Sequence, residues 1–183
     1  MSLFCSVHHY CSLYSVTTLR KLFTAIVASV VAFAAPVQAF TSYKDAMDKH
    51  YLLDIVQETG TTVIYNPEMC NESKGLMGYY SIITNAKGHY LKDEMGLCLK
   101  NVTSLSDLYN TVRHEAIHVA QECNGGPFFP IQNYRGQLSE NTIKNVSAYD
   151  KEHWGHEVEA WHGAETLTDA QVAKILIQAC GLQ

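Results

Sequence analysis

Apolar residues along this chain fall into blocks of different period. The first block, Leu22–Ala35, is an unbroken run with no charge in it. In the second, Met47, Leu52, Ile55 and Val56 recur at helical spacing, and Ser42-Tyr43-Lys44-Asp45 fits a capping box with Asp in place of Glu. The spacing predicts a helix from Ser42 to about Glu58, stopped by Gly60. Thr61–Tyr65 is β-branched and ends at Asn66-Pro67, which predicts a strand. Gly75–Thr84 predicts a second strand, and His89–Leu91 with Gly96–Leu99 predict one or two more, together a small mixed or antiparallel sheet. After Thr103 the period becomes helical again. Leu105, Leu108, Val112, Ala116 and Val119 form one apolar stripe on a central helix running to about Cys123. Residues 124–148 are rich in Gly, Pro and Asn and predict a long loop, a feature that is usually functional in a compact domain. Helices are predicted over Asp150–Glu165 and from Thr168 to just before Gly181, the latter opened by a second capping box, Thr168–Gln171. The expected class is α+β.

The run Leu22–Ala35 follows Arg20-Lys21 and leads into Pro36-Val37-Gln38-Ala39, the layout of a secretory signal peptide cleaved after Ala39. It falls short of the roughly 20 residues needed to span a bilayer, so no stable membrane anchor is expected after cleavage. The n-region is long, which fits a true start at Val16 or Leu19. Residues 40–183 are then expected to form one domain in a secreted or periplasmic setting. Losing Arg20 and Lys21 takes the formal net charge from −5 to −7. That excludes a general nucleic-acid binder, which needs a basic surface to neutralise phosphates. Cys5 and Cys11 also leave, and Cys70, Cys98, Cys123 and Cys180 remain. An even number in an exported chain points to two disulfides. Of the three pairings, Cys70–Cys98 within the strand region and Cys123–Cys180 between helix ends are favoured. Asn71, Asn101 and Asn145 lie in N-x-S/T sequons, which matter only in a host that glycosylates.

The central helix carries His114-Glu115-Ala116-Ile117-His118. Residues i and i+4 sit one above the other on a helix, so two imidazoles can reach one metal ion. Glu115 is turned about 100° away and can hold a water beside the metal without ligating it. From this chain's own usage, roughly 0.03 matches to H-E-x-x-H are expected by chance. His114 and His118 lie roughly 200–240° around the helix from the apolar stripe, so one face serves the core and the other a site. Catalytic zinc normally has three protein ligands and one open position. A metzincin arrangement would put Gly and His three and six residues after His118, where this chain has Gln121 and Asn124. A more distant acid must therefore serve, and the segment His153–His162 is the obvious source.

His114–His118 followed by Glu157-Val158-Glu159-Ala160 resembles the gluzincin branch of the zincin metallopeptidases, over residues 104–164. There a second helix bears E-x-x-A or E-x-E-A, and its first Glu is the third zinc ligand. Carried over by position, the resemblance implies zinc held by His114, His118 and Glu157, with Glu115 as general base. It implies a minimal zincin-like domain, a small mostly antiparallel sheet packed on the active-site helix, acting on peptide or protein substrates. Trp161 stands where the CAAX-processing type has Asp, so the chain is not assigned to that family. Zincins align the substrate backbone along a strand edge, and Gly78-Tyr79-Tyr80-Ser81 is similar in position. Glu159 is the rival third ligand, since two positions apart on a helix point about 200° from each other. His153, His156 and His162 are further rivals, and Tyr149 or His153 is a candidate oxyanion donor.

The activity expected is hydrolysis by a zinc-activated water whose proton Glu115 accepts and passes to the leaving amine. Two other readings stand beside it. One is a non-catalytic binding or inhibitory protein on a zincin scaffold, which leaves the retention of Glu115 unexplained. The other is an exported domain with structural zinc, which needs a fourth protein ligand from His153 or His156. The 124–148 segment, with Phe128-Phe129-Pro130 and Tyr134, suits either a lid or specificity wall or a disulfide-anchored surface loop.

Overall fold

The computed structural model describes residues 8–13, 43–84, 90–134 and 136–183. Most of the expected leader, its cleavage point and the Ser42 cap lie outside the described residues. The sheet has strand order β1-β3-β4-β2, with β1 His8–Leu13, β2 Thr62–Tyr65, β3 Leu76–Thr84 and β4 Tyr90–Leu97. Strands β3 and β4 run antiparallel, pairing Tyr80 with Met95 and Tyr79 with Gly96. Strand β2 runs parallel to β4, so the sheet is mixed. The two short segments expected after β3 merge into the single strand β4. The outer edge of β3 pairs antiparallel with β1, matching His9 to Ser81, Tyr10 to Tyr80 and Cys11 to Tyr79.

Helices α1 (Tyr51–Glu58), α2 (Met69–Glu72), α3 (Leu105–Asn124), α4 (Glu140–Val146), α5 (Trp154–Thr166) and α6 (Asp169–Cys180) complete an α+β fold. The main core lies between the sheet and α1, α3 and α6. Leu52, Val56, Tyr80, Met95, Leu108, Val112 and Leu176 are fully buried there. Each such side chain contributes roughly 1.5–3 kcal/mol through the apolar surface it removes from water. Leu76 and Tyr79 pack with the Cys70–Cys98 disulfide in a small second cluster. The Cys123–Cys180 disulfide ties the end of α3 to the end of α6. Both favoured pairings are present, and each bridge is worth about 2–4 kcal/mol by the unfolded-state constraint it imposes.

Caps explain the helix starts. Ser104 accepts from the Asp107 amide at the start of α3. Thr168 and Gln171 form the full reciprocal capping box of α6. Three boundaries differ from the sequence expectation. The first predicted helix is split into a helical turn over residues 43–47 and α1. His50 breaks it: its backbone is extended and its buried ring lies 3.3 Å from Asp169 and against Tyr109. The 124–148 segment is not one open loop. It contains a short 3-10 turn, Ile131–Tyr134, and α4, capped by Ser139 and buried through Thr142, Asn145 and Val146. Helix α5 starts at Trp154 rather than Asp150, after a turn that the Trp154 indole closes by donating to the Tyr149 carbonyl.

The sequons are equally uneven. Asn71 is exposed, whereas the Asn101 amide donates to the carbonyls of Cys70, Ser73 and Leu76, and Asn145 is buried.

Candidate metal centre

Helix α3 turns Leu108, Val112, Ala116 and Val119 to the core, leaves Leu105 of the expected stripe exposed at its start, and turns its other face to α5, which it crosses closely. A methyl at Gly163 of α5 would fall 2.4 Å from Ile117 Cδ1, so glycine permits this approach. Ala160, also on α5, is fully buried at the crossing. The crossing brings His114, His118 and Glu157 together. The Nε2 atoms of the two histidines are 3.1 Å apart. The Glu157 carboxylate lies 3.6 Å from each of them, one oxygen toward each ring. A tetrahedral ion with bonds of about 2.0–2.1 Å holds its ligand atoms about 3.3–3.4 Å apart, so this trio is spaced for one ion. Glu115 joins from the adjacent face of α3, its carboxylate and the two ring nitrogens lying within 4.8 Å of one another.

All four side chains are out of water: His114 is 2% exposed, His118 1%, and Glu115 and Glu157 0%. Burial favours neutral forms. It holds both imidazoles well below their ordinary range, His118 down to about 3, with the neighbouring histidine ring adding to the effect on His114. It pushes Glu115 well up, helped by the charge of Glu157. Glu157 is pushed up to about 8 by the same burial, against the Tyr149 hydroxyl, which favours the carboxylate. Both oxygens of Glu115 are buried without a hydrogen-bonded partner, and so is Nδ1 of His114. Neutral imidazoles with lone pairs aimed at one point, beside carboxylates short of donors, suit a divalent cation. Uncompensated buried carboxylates cost several kcal/mol each, and a cation offsets that cost.

The close fit extends to the sheet. A methyl at Gly78 of β3 would fall 2.5 Å from Thr111 Cγ2 and 3.0 Å from Glu115 Oε1. Glycine therefore lets β3 lie directly on α3 opposite Glu115. The edge read as a substrate-aligning strand is thus beside the site, and it is the edge that β1 pairs with.

Of the rivals, Glu159 is turned away, as the helical angle requires. Its carboxylate accepts from the amides of Phe128 and Phe129, from the Tyr134 hydroxyl at 2.7 Å and from Gln121 Nε2 at 2.9 Å. His153 sits at the N-cap of α5 beside Glu152, at 3.9 Å. His162 packs edge-on against Tyr134. His156 offers its backbone carbonyl to Gln121, and its ring lies close enough to His118 to disfavour a charge there. Tyr149 is the expected oxyanion donor that the structure sets against Glu157; His153 is not brought to the trio. Trp161 packs its ring 4.6 Å from that of His114 and walls the site where an Asp was absent. The residue that sequence reasoning passed over is Gln121, whose Oε1 lies 2.8 Å from His118 Nδ1.

Among the described residues, no helix is long and apolar enough to cross a membrane. The two disulfides are compatible with an extracellular protein.

No curated protein and no solved structure matches the chain. Residues 40–180 match a family described as a domain of unknown function, DUF8637, and the chain belongs to that family. The match begins one residue after the expected leader.

Proposed function

We propose that this protein is an exported zinc metallopeptidase, secreted or periplasmic, that hydrolyses peptide bonds. The observation that carries the reading is the spacing of His114 Nε2, His118 Nε2 and the Glu157 carboxylate, 3.1–3.6 Å, with Glu115 beside them and unpartnered. His114, His118 and Glu157 are the residues that would hold zinc. When bound, zinc supplies Lewis acidity toward a water and the scissile carbonyl. Glu115 accepts the water's proton and returns it to the leaving amine, a role that suits a carboxylate whose affinity for protons is raised by burial. Tyr149, near Glu157, is the group best placed to donate to the developing oxyanion. Once the leader that carries β1 is removed, the β3 edge would be open to hold an extended peptide by main-chain pairing.

The structural-zinc alternative requires a fourth protein ligand. The buried cluster comprises His114, Glu115 and His118, and the other such group among the described residues, Asp150, Glu152 and His153, is mostly exposed. His153, one of the two fourth ligands that reading would use, lies partly exposed beside Glu152 and away from the trio.

The test is zinc stoichiometry together with cleavage of a mixed peptide library by the purified protein. About one zinc per chain with chelator-sensitive cleavage is expected. Zinc binding without cleavage would favour the structural-zinc or non-catalytic reading, and no zinc binding would exclude both zinc readings.

A further inference from the structure

We propose that Gln121 and Glu159 are positioning residues of the metal centre, a relay that fixes the tautomer of His118 and ties it to the Phe128–Tyr134 segment. This rests on the zinc reading above. The argument begins at the Gln121 amide, which is 1% exposed. Its Nε2 donates to two acceptors, the Glu159 carboxylate at 2.9 Å and the His156 carbonyl at 3.0 Å. Flipping the amide would set its oxygen against both of those acceptors, so the amide has one allowed orientation. Its Oε1 must then face His118 Nδ1, at 2.8 Å, and can only accept. His118 therefore carries its proton on Nδ1 and keeps the Nε2 lone pair for a metal.

Glu159 anchors the other end. It is 6% exposed and takes four donors: the amides of Phe128 and Phe129, the Tyr134 hydroxyl and Gln121. Burial and the hydrogen bond to Glu159 together make Tyr134 hold its proton more tightly than a free phenol. The segment supplying those donors also walls an apolar cavity of about 570 Å³ between α3, α5 and α6, with Ile117, Leu167 and Ile175 opposite. The ligand His118 is thus connected through two side chains to a cavity wall. His114 has no such support. Its Nδ1 is without a hydrogen bond, and its ring is held by packing on Trp161. The two histidines of one motif are oriented by different forces.

The experiment uses cobalt(II) as a spectroscopic substitute and zinc competition against a chelator. Gln121→Leu and Glu159→Gln, each checked for folding by circular dichroism, are expected to weaken metal binding about 10–100-fold. Both should also change the visible cobalt spectrum, which a merely structural loss does not alter. The double variant should lose little more than the worse single variant, because both act through one path. Tyr134→Phe loosens the clasp but leaves Gln121 in place, so its cobalt spectrum should match the wild type. If Gln121→Leu fails to fold, Glu159→Gln carries the same readouts. Wild-type metal affinity and spectrum in folded Gln121→Leu or Glu159→Gln would overturn the relay alone. A wild-type protein that binds neither metal would overturn the zinc reading, and the relay with it.

Discussion

Glu157 and Glu159 lie two residues apart on one helix, and both are buried. Each has a tyrosine hydroxyl beside it, Tyr149 and Tyr134 respectively, and the rest of their surroundings differ. Glu157 faces two imidazoles at 3.6 Å and is raised to about 8 by burial. Glu159 faces four hydrogen-bond donors and clasps a loop. The difference teaches what separates a poised carboxylate from a structural one. A structural carboxylate has its lone pairs filled by the protein, whereas a poised one is desolvated with little of that compensation and either keeps a proton or takes a cation. The two regions they serve, the proposed metal site and the loop clasp, meet at Gln121.

The contrast can be broken most directly at its strongest point. Glu157→Ala should abolish zinc retention and hydrolysis together, a loss beyond the roughly 100-fold typical of an outer partner. Metal analysis after dialysis checks it. If Glu159→Ala, and not Glu157→Ala, emptied the protein of zinc, the two roles would have to be exchanged. Glu115→Gln comes next: cleavage should fall about 10²–10⁴-fold while zinc content stays at one per chain. Unchanged cleavage in that variant would remove Glu115 from the chemistry.

Chelation should act on the proposed metal site alone. Removing zinc leaves Glu157 and Glu115 uncompensated, and ligand held at about a thousandfold its Kd contributes about 4 kcal/mol. A fall in Tm of roughly 10 °C is therefore expected in a calorimetric scan with chelator. Glu157→Gln should be far less sensitive to chelator. Smaller still is the clasp: Tyr134→Phe should cost about 1 kcal/mol in denaturant unfolding and leave zinc content unaltered.

The cluster of His114, Glu115 and His118 was more legible in the sequence than the clasp, for a physical reason. His114, Glu115 and His118 are related by helical geometry, which is local, so their spacing carries the chemistry with it. The opposite directions of Glu157 and Glu159 follow from the same geometry, but which of them meets α3 depends on how α5 crosses it. The clasp left no such trace. Two of its donors are the backbone amides of Phe128 and Phe129, which any residue but proline could supply. Gln121 stood out only as a position where a metzincin residue is missing. Within 124–148, Gly125, Gly126, Pro127 and Pro130 dominated the composition, although Ser139 with Glu140 and Lys144 is a helix start and an i,i+4 pair. The break at His50 was invisible because its cause, Asp169, lies more than a hundred residues away in sequence.

The central claim is that one zinc ion sits between His114, His118 and Glu157 with its fourth position open beside Glu115. Anomalous diffraction at the zinc edge, on crystals of the protein grown with zinc, tests it most directly. The expected result is a single strong peak about 2.0–2.2 Å from both Nε2 atoms and a Glu157 oxygen, with no fourth protein ligand. A peak ligated by Glu159, a peak closed by His153 or His156, or no peak between these residues at saturating zinc would contradict it.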